Sequence, residues 1–186
     1  MIERAKAILN FWFKETTTKE HFKRSDDFDK KIRNLFENDY QKAINNELED
    51  WQDDPKTCLA LIILLDQFSR NLFRDSSKAF AYDKKTRLIV NEAVDKGDLE
   101  KLNNNEKFFL ILPLIHSEDI SDHIFAHQLC NAFLKSHPQI DNIKKQFDYH
   151  TTPIKKFGRY PHRNKVLKRK PTPEEEAFLN QPNSSW

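Results

Sequence analysis

The chain has 186 residues, long enough for a well-buried core, and its 31 Lys and Arg against 29 Asp and Glu leave a net charge of only +2, which excludes recruitment of nucleic acid or membrane by a global field. Glycine is the more telling count: ordinary usage would give roughly 13, and the sequence has two, Gly97 and Gly158. Tight hairpins, glycine-rich phosphate loops and a G-x-S-x-G nucleophile elbow all need glycines that are missing here, so composition points to helices.

Ile2, Ala5, Ile8, Leu9, Trp12 and Phe13 recur at helical spacing and predict a first amphipathic helix ending among Thr16, Thr17 and Thr18. A second helix starts near Asp26, with acids in its first turn, and runs through Phe28, Ile32, Leu35, Phe36, Ala43 and Ile44. Asp54 and Pro55 read as N-cap and first residue of a third. Its body, residues 58–65, is apolar on every side, which predicts the central buried helix. Asp75-Ser76-Ser77 caps a fourth helix through Phe80, Leu88, Ile89 and Val94, ended by Gly97. The three asparagines 103–105 read as a loop, and residues 108–112 as a short buried helix stopped near Pro113.

Ser117 is the predicted cap of a sixth helix, with Glu118 and Asp119 in its first turn and Ile120, Ile124, Phe125, Leu129 and Phe133 along it. A seventh spans roughly Gln139 to His150. An eighth opens at Thr172-Pro173 with three glutamates behind the proline. No strand pattern competes, so the chain reads as one all-helical domain, 1–186, of about eight helices, with 155–186 a basic C-terminal segment packing back on the core. Cys58 and Cys130 are isolated in apolar patterns and suggest no disulfide framework or Cys-rich zinc site. Without a signal-peptide pattern or a run of 18 apolar residues, the expected location is cytoplasmic, with no membrane partner.

Three polar clusters carry the chemistry. Asp66, Gln67, Arg70 and Asn71 end the most apolar helix, where charge is costly unless paired or used. His116 stands beside Ser117 and Glu118, a candidate general acid/base with a carboxylate to orient it; helix capping accounts for the serine and the acids but leaves the histidine unexplained. His123 and His127 follow at i and i+4, yet no third ligand is fixed by sequence and Ile124 stands where H-E-x-x-H has glutamate, so no metal or cofactor is expected. Residues 157–164 gather Arg159, His162, Arg163 and Asn164 around Gly158 and Pro161, in a turn that cannot be helical. The arginines suit a carboxylate or phosphate, and His162 can move a proton. Eight basic residues between 155 and 170, with Phe157 and Tyr160 interleaved, also suit a nucleic-acid backbone. A solvated basic tail whose arginines pair with Asp66, Glu118 and Asp119 is the purely structural account.

In this order the clusters resemble a bacterial family known as domain of unknown function 924. The resemblance rests on residues 8–13, Phe28-Asp29 with Ile32, residues 59–71, Pro113-Leu114 with His116-Ser117-Glu118, residues 157–164, and Thr172 to Glu175 before Phe178-Leu179. It implies a tetratricopeptide-like helical superhelix and gives no activity to transfer. It also implies that the three clusters form one pocket. Two positions depart from the family pattern: His123, where glutamine is usual, and Pro153, where the helix before Phe157 should end or kink. The pocket expected from the clusters is lined by Asp66, Gln67, Arg70, Asn71, His116, Glu118, Arg159, His162, Arg163 and Asn164, and takes a small anionic ligand or an acidic peptide. An enzymatic alternative, a hydrolase or transferase, uses His116 or His162 as acid/base with Glu118. Nucleic-acid binding through 155–170 is the third reading.

Overall fold

The computed structural model describes residues 2–182 and 184, and among them every regular element is helical. The α-helices are α1 Ile2–Asn10, α2 Thr18–Phe22, α3 Asp26–Ile44, α4 Pro55–Ile62, α5 Ser69–Leu72, α6 Asp83–Asp95, α7 Asn104–Ile115, α8 Ile120–Phe133, α9 Ile140–Phe157 and α10 Pro173–Leu179. The eight helices read from the sequence correspond to all of these except the short α2 and α5. The first of these two is set by a capping box between Thr17 and Glu20.

The centre of the protein is the stretch 55–72. It is α4, then a π-helical turn Ile63–Phe68, then α5, with right-handed helical backbone at both junctions. Every residue from 58 to 69 is buried, as the all-round apolar pattern predicts. Around this stretch pack α1, α3, α6 and α7, while α8 lies on α7, and α9 on both. Phe11, Trp12, Phe36, Phe68 and Phe109 form an aromatic cluster on one side, with ring centroids 5.0–6.1 Å apart for neighbouring pairs. Asp54 accepts from the Lys56 and Thr57 amides, and Pro55 fills the first helical position where no N–H is needed.

Several local expectations are corrected. The asparagine run is not a loop: Asn103 caps α7 in a capping box with Glu106, and the helix starts at Asn104. Pro113 does not stop α7, which continues to Ile115; a proline in the last turn forfeits a single ladder bond. Asp119, not Ser117, caps α8, accepting from the Ser121 amide. The fourth helix is split into a 3-10 turn Ser77–Phe80, capped by Ser76, and α6 from Asp83. Pro153 does not end α9 either. The carbonyl it leaves without a donor belongs to Tyr149, whose side is 51% exposed, and the helix reaches Gly158, whose left-handed φ of +66° terminates it.

Candidate functional site

A π turn opens the helix by one residue, and such turns recur at functional sites. Here it carries Asp66 and Gln67 into the interior together, 1% and 7% exposed. His116, at the C-cap of α7, reaches across to Asp66: Nδ1 lies 2.7 Å from Oδ1. Gln67 Nε2 donates to the other oxygen, and Arg70 Nη2 lies 3.4 Å from Oδ1. Burial alone would raise the Asp66 carboxyl, but the charges of Arg70 and His116 and the hydrogen bonds from His116 and Gln67 outweigh it, holding the group well below the usual carboxylate range. An ionised carboxylate only accepts, so Nδ1 of His116 carries the hydrogen and Nε2 is left as the working nitrogen.

Arg70 is in turn gripped by Asp83 from the first turn of α6, with Nη1 and Nη2 at 3.1 and 3.0 Å from the two carboxylate oxygens. Its Nη1 also donates to the Asp66 carbonyl at 2.8 Å. Asp83 Oδ2 lies 3.5 Å from Nη1 of Arg163, whose guanidinium sits over the rings of Phe80 at 4.3 Å and Tyr160 at 4.5 Å. Arg163 is 6% exposed, and its Nε is buried without a hydrogen-bond partner among the described residues. Burial and the nearby charge of Arg70 lower its proton affinity.

Tyr160 is the hub of the C-terminal segment. Fully buried, it donates its hydroxyl to the Ile115 carbonyl, one residue before His116. Its ring centroid lies 5.2 Å from that of His162 and 6.3 Å from those of His150 and His123, and His150 lies 6.0 Å from His116. Burial pushes both His150 and His162 down to about 3. His116, His150, His162 and Arg70 each keep part of their surface in solvent, forming a rim.

Not every residue of the expected pocket reaches this rim. Glu118, expected to orient His116, accepts instead from Arg169 at 2.6 and 3.0 Å and from the Tyr160 amide at 2.8 Å, so the orienting carboxylate is Asp66. Arg159 and Asn164 both donate to Glu175, at 2.6, 2.8 and 3.1 Å, which ties the turn to α10. Asn71 donates to Asp29 at 2.7 Å beside Arg74, toward α3. A surface cleft of about 470 Å³ is lined by Arg87, Ser117, Glu118, Asp119, Ile120, Ile154 and Gly158, and of the expected pocket residues it includes Glu118 alone. His123 and His127 both point at Thr151 Oγ1, 3.0 and 3.1 Å away, and no group of three metal-ligating side chains is found among the described residues. Asp83, Arg169 and Glu175 complete the charge network. No local pattern marks Asp83, and Glu175 reads simply as a first-turn acid.

Fold and site together describe an all-helical protein with a buried carboxylate paired to His116, one of three partly exposed histidines that with Arg70 form a rim. The chain belongs to the family described as bacterial protein of unknown function (DUF924), whose model matches residues 8–183. It is similar to a solved protein of unknown function from Agrobacterium tumefaciens, with 30% sequence identity and a TM-score of 0.86 over 96% of this chain and 98% of that one. A comparison with curated proteins finds no match. No helix among the described residues is long and apolar enough to cross a membrane.

Proposed function

We propose that the chain is a cytoplasmic protein that takes a small anionic ligand at the His116 rim, and that His116, oriented by Asp66, exchanges a proton with it as general acid/base. The observation that carries the reading is the 2.7 Å bond from His116 to a carboxylate that is 1% exposed and held ionised. A buried ion kept this way is costly, and fixing the tautomer and direction of an imidazole is the use that justifies it. Arg163 and Arg70 supply positive charge beside the rim. In a hydrolase or transferase of this kind the nucleophile is water or a second substrate. Cys58 is buried with its thiol pushed up to about 12, and Ser117 Oγ is committed to Asp122, Arg87 and the Asp119 amide.

A nucleic-acid role finds less support: Tyr160 is buried, Phe157 packs on Phe178 at 5.4 Å, and Arg159, Arg163 and Arg169 are turned inward to carboxylates. The test is a thermal-shift screen of anionic metabolites, followed by product analysis of each hit with the wild type and with His116→Gln. Turnover that vanishes in His116→Gln while the ligand still binds is the expected result. Turnover that is equal in the two proteins would sink the acid–base role, and the absence of any ligand-dependent shift would sink the ligand.

A further inference from the structure

Asp83 stands outside every polar motif of the sequence, yet it touches both guanidiniums of the site. Its two oxygens hold Arg70 in a two-pronged grip at 3.1 and 3.0 Å, and Oδ2 lies 3.5 Å from Arg163. Arg70 lies 3.4 Å from Oδ1 of Asp66, the same oxygen that accepts from His116. Asp83, Arg70, Asp66 and His116 thus form one chain of alternating charge running from α6 through α5 and the π turn to the end of α7. Arg70 has one positive charge to divide between two carboxylates. The tighter Asp83 holds it, the more of the negative charge on Asp66 is left for the imidazole, and in a buried network that division is felt along the whole chain.

We propose that Asp83 is a positioning residue of this site, which, by gripping Arg70, sets how strongly Asp66 draws a proton onto His116. The proposal rests on the acid–base reading of His116, but its measurement needs no substrate. The groups coupled to His116 come from every neighbouring element: Asp66 from the π turn, His123 from α8, His150 from α9 and His162 from the C-terminal segment, with Arg70 from α5 acting on Asp66 and on His162 and Arg163 acting on His162. Against this fixed background, neutralising Asp83 has two effects of one sign. A negative charge is lost, and Arg70 is released to pair more fully with Asp66. Both disfavour the imidazolium.

The experiment is an NMR titration of the His116 Cε1–H resonance in wild type, Asp83→Asn and Asp83→Glu. In Asp83→Asn the midpoint is expected to move to lower pH than in wild type, and Asp83→Glu, which restores the charge, is expected to bring most of it back. A residue that only packs would change the melting temperature and leave the midpoint where it was. An unmoved midpoint in folded Asp83→Asn, or one moved to higher pH, overturns the proposal. Should that variant not fold, Arg70→Gln cuts the same chain at the next link: it is expected to move the midpoint to higher pH, and no movement there overturns the proposal equally. Failure of the acid–base reading shows up separately, as turnover that survives His116→Gln.

Discussion

Asp66 and His116 are fifty positions apart in the chain and share a 2.7 Å hydrogen bond, the carboxylate deep in the interior and the imidazole at the solvent rim. The carboxylate is made affordable by hydrogen bonds from His116 and Gln67 and by the nearby charge of Arg70, and the imidazole gains a fixed tautomer.

Replacing Asp66 by Asn keeps the shape and removes the charge, leaving Arg70 with Asp83 alone and His116 without its anion. Loss of a partner from a buried charged network costs about 3 kcal/mol. Urea denaturation at pH 7 checks this, and a change below about 0.5 kcal/mol would mean that the pair contributes little to the fold.

The two arginines at Asp83 are expected to differ sharply. Arg70→Met leaves Asp66 with His116 and Gln67 alone and Asp83 with only its long contact to Arg163, and is expected to cost about 3–5 kcal/mol. Arg163→Met removes a buried guanidinium with one long ion pair and leaves Asp83 held by Arg70. That substitution is expected to stay within about 1 kcal/mol of wild type or to stabilise, because desolvation of the charge offsets its long ion pair and a methionine keeps apolar contact with the Phe80 and Tyr160 rings. Equal costs from the two denaturation curves would contradict this division of roles.

Mild acid is expected to weaken the protein before its carboxylates titrate. Burial depresses His21 to about 4 and His150 and His162 to about 3, below the unfolded value near 6.5. Between those limits the unfolded chain binds more protons than the folded one, so stability is full above about pH 6.5 and falls as pH drops toward 3. His150→Gln and His162→Gln should each flatten the loss between pH 6.5 and 4. Denaturation midpoints across that window decide it, and parallel curves for variant and wild type would count against buried neutral histidines.

A second loss follows at lower pH. The hydrogen bond from Arg159 lowers Glu175 to about 2, burial pulls the other way, and the Thr172 amide and Asn164 add to the lowering. A depressed carboxylate contributes stability above its unfolded value of about 4.3 and loses it as pH falls through about 2. Since Glu175 joins α10 to the 157–164 turn, Glu175→Gln should free this end first, read as faster amide exchange in α10 at pH 7 with α4 unchanged.

Gly158→Ala tests the turn after α9. A Cβ there meets nothing within 4 Å, so the whole cost is the left-handed backbone, about 1 kcal/mol. A loss several times larger would show that the turn is constrained by more than its dihedral.

What the sequence determined by itself is local. The caps at Asp54 and Thr172, the termination at Gly97 and the burial of residues 58–65 follow from side chains acting on backbone a few positions away, or from periodicity within one helix. It also singled out Asp66 and His116, because a charge attached to so apolar a helix and a histidine unexplained by capping both stand out. Local signals mislead where two principles compete: Pro113 predicts a stop and Pro153 an end or a kink, but packing of the helices around them outweighs one lost ladder bond. Only the tertiary structure decided who pairs with whom. Glu118 is two residues from His116 yet turns to Arg169, while Asp66, fifty residues away, takes the imidazole, and Asp83 gathers both arginines without any motif of its own. Charge complementarity is satisfied by any acid near any base, so the sequence leaves many pairings open. The π turn at Ile63–Phe68 and the packing of α6 and α7 against the central stretch bring one set within 3.5 Å, and that selection belongs to the assembled core.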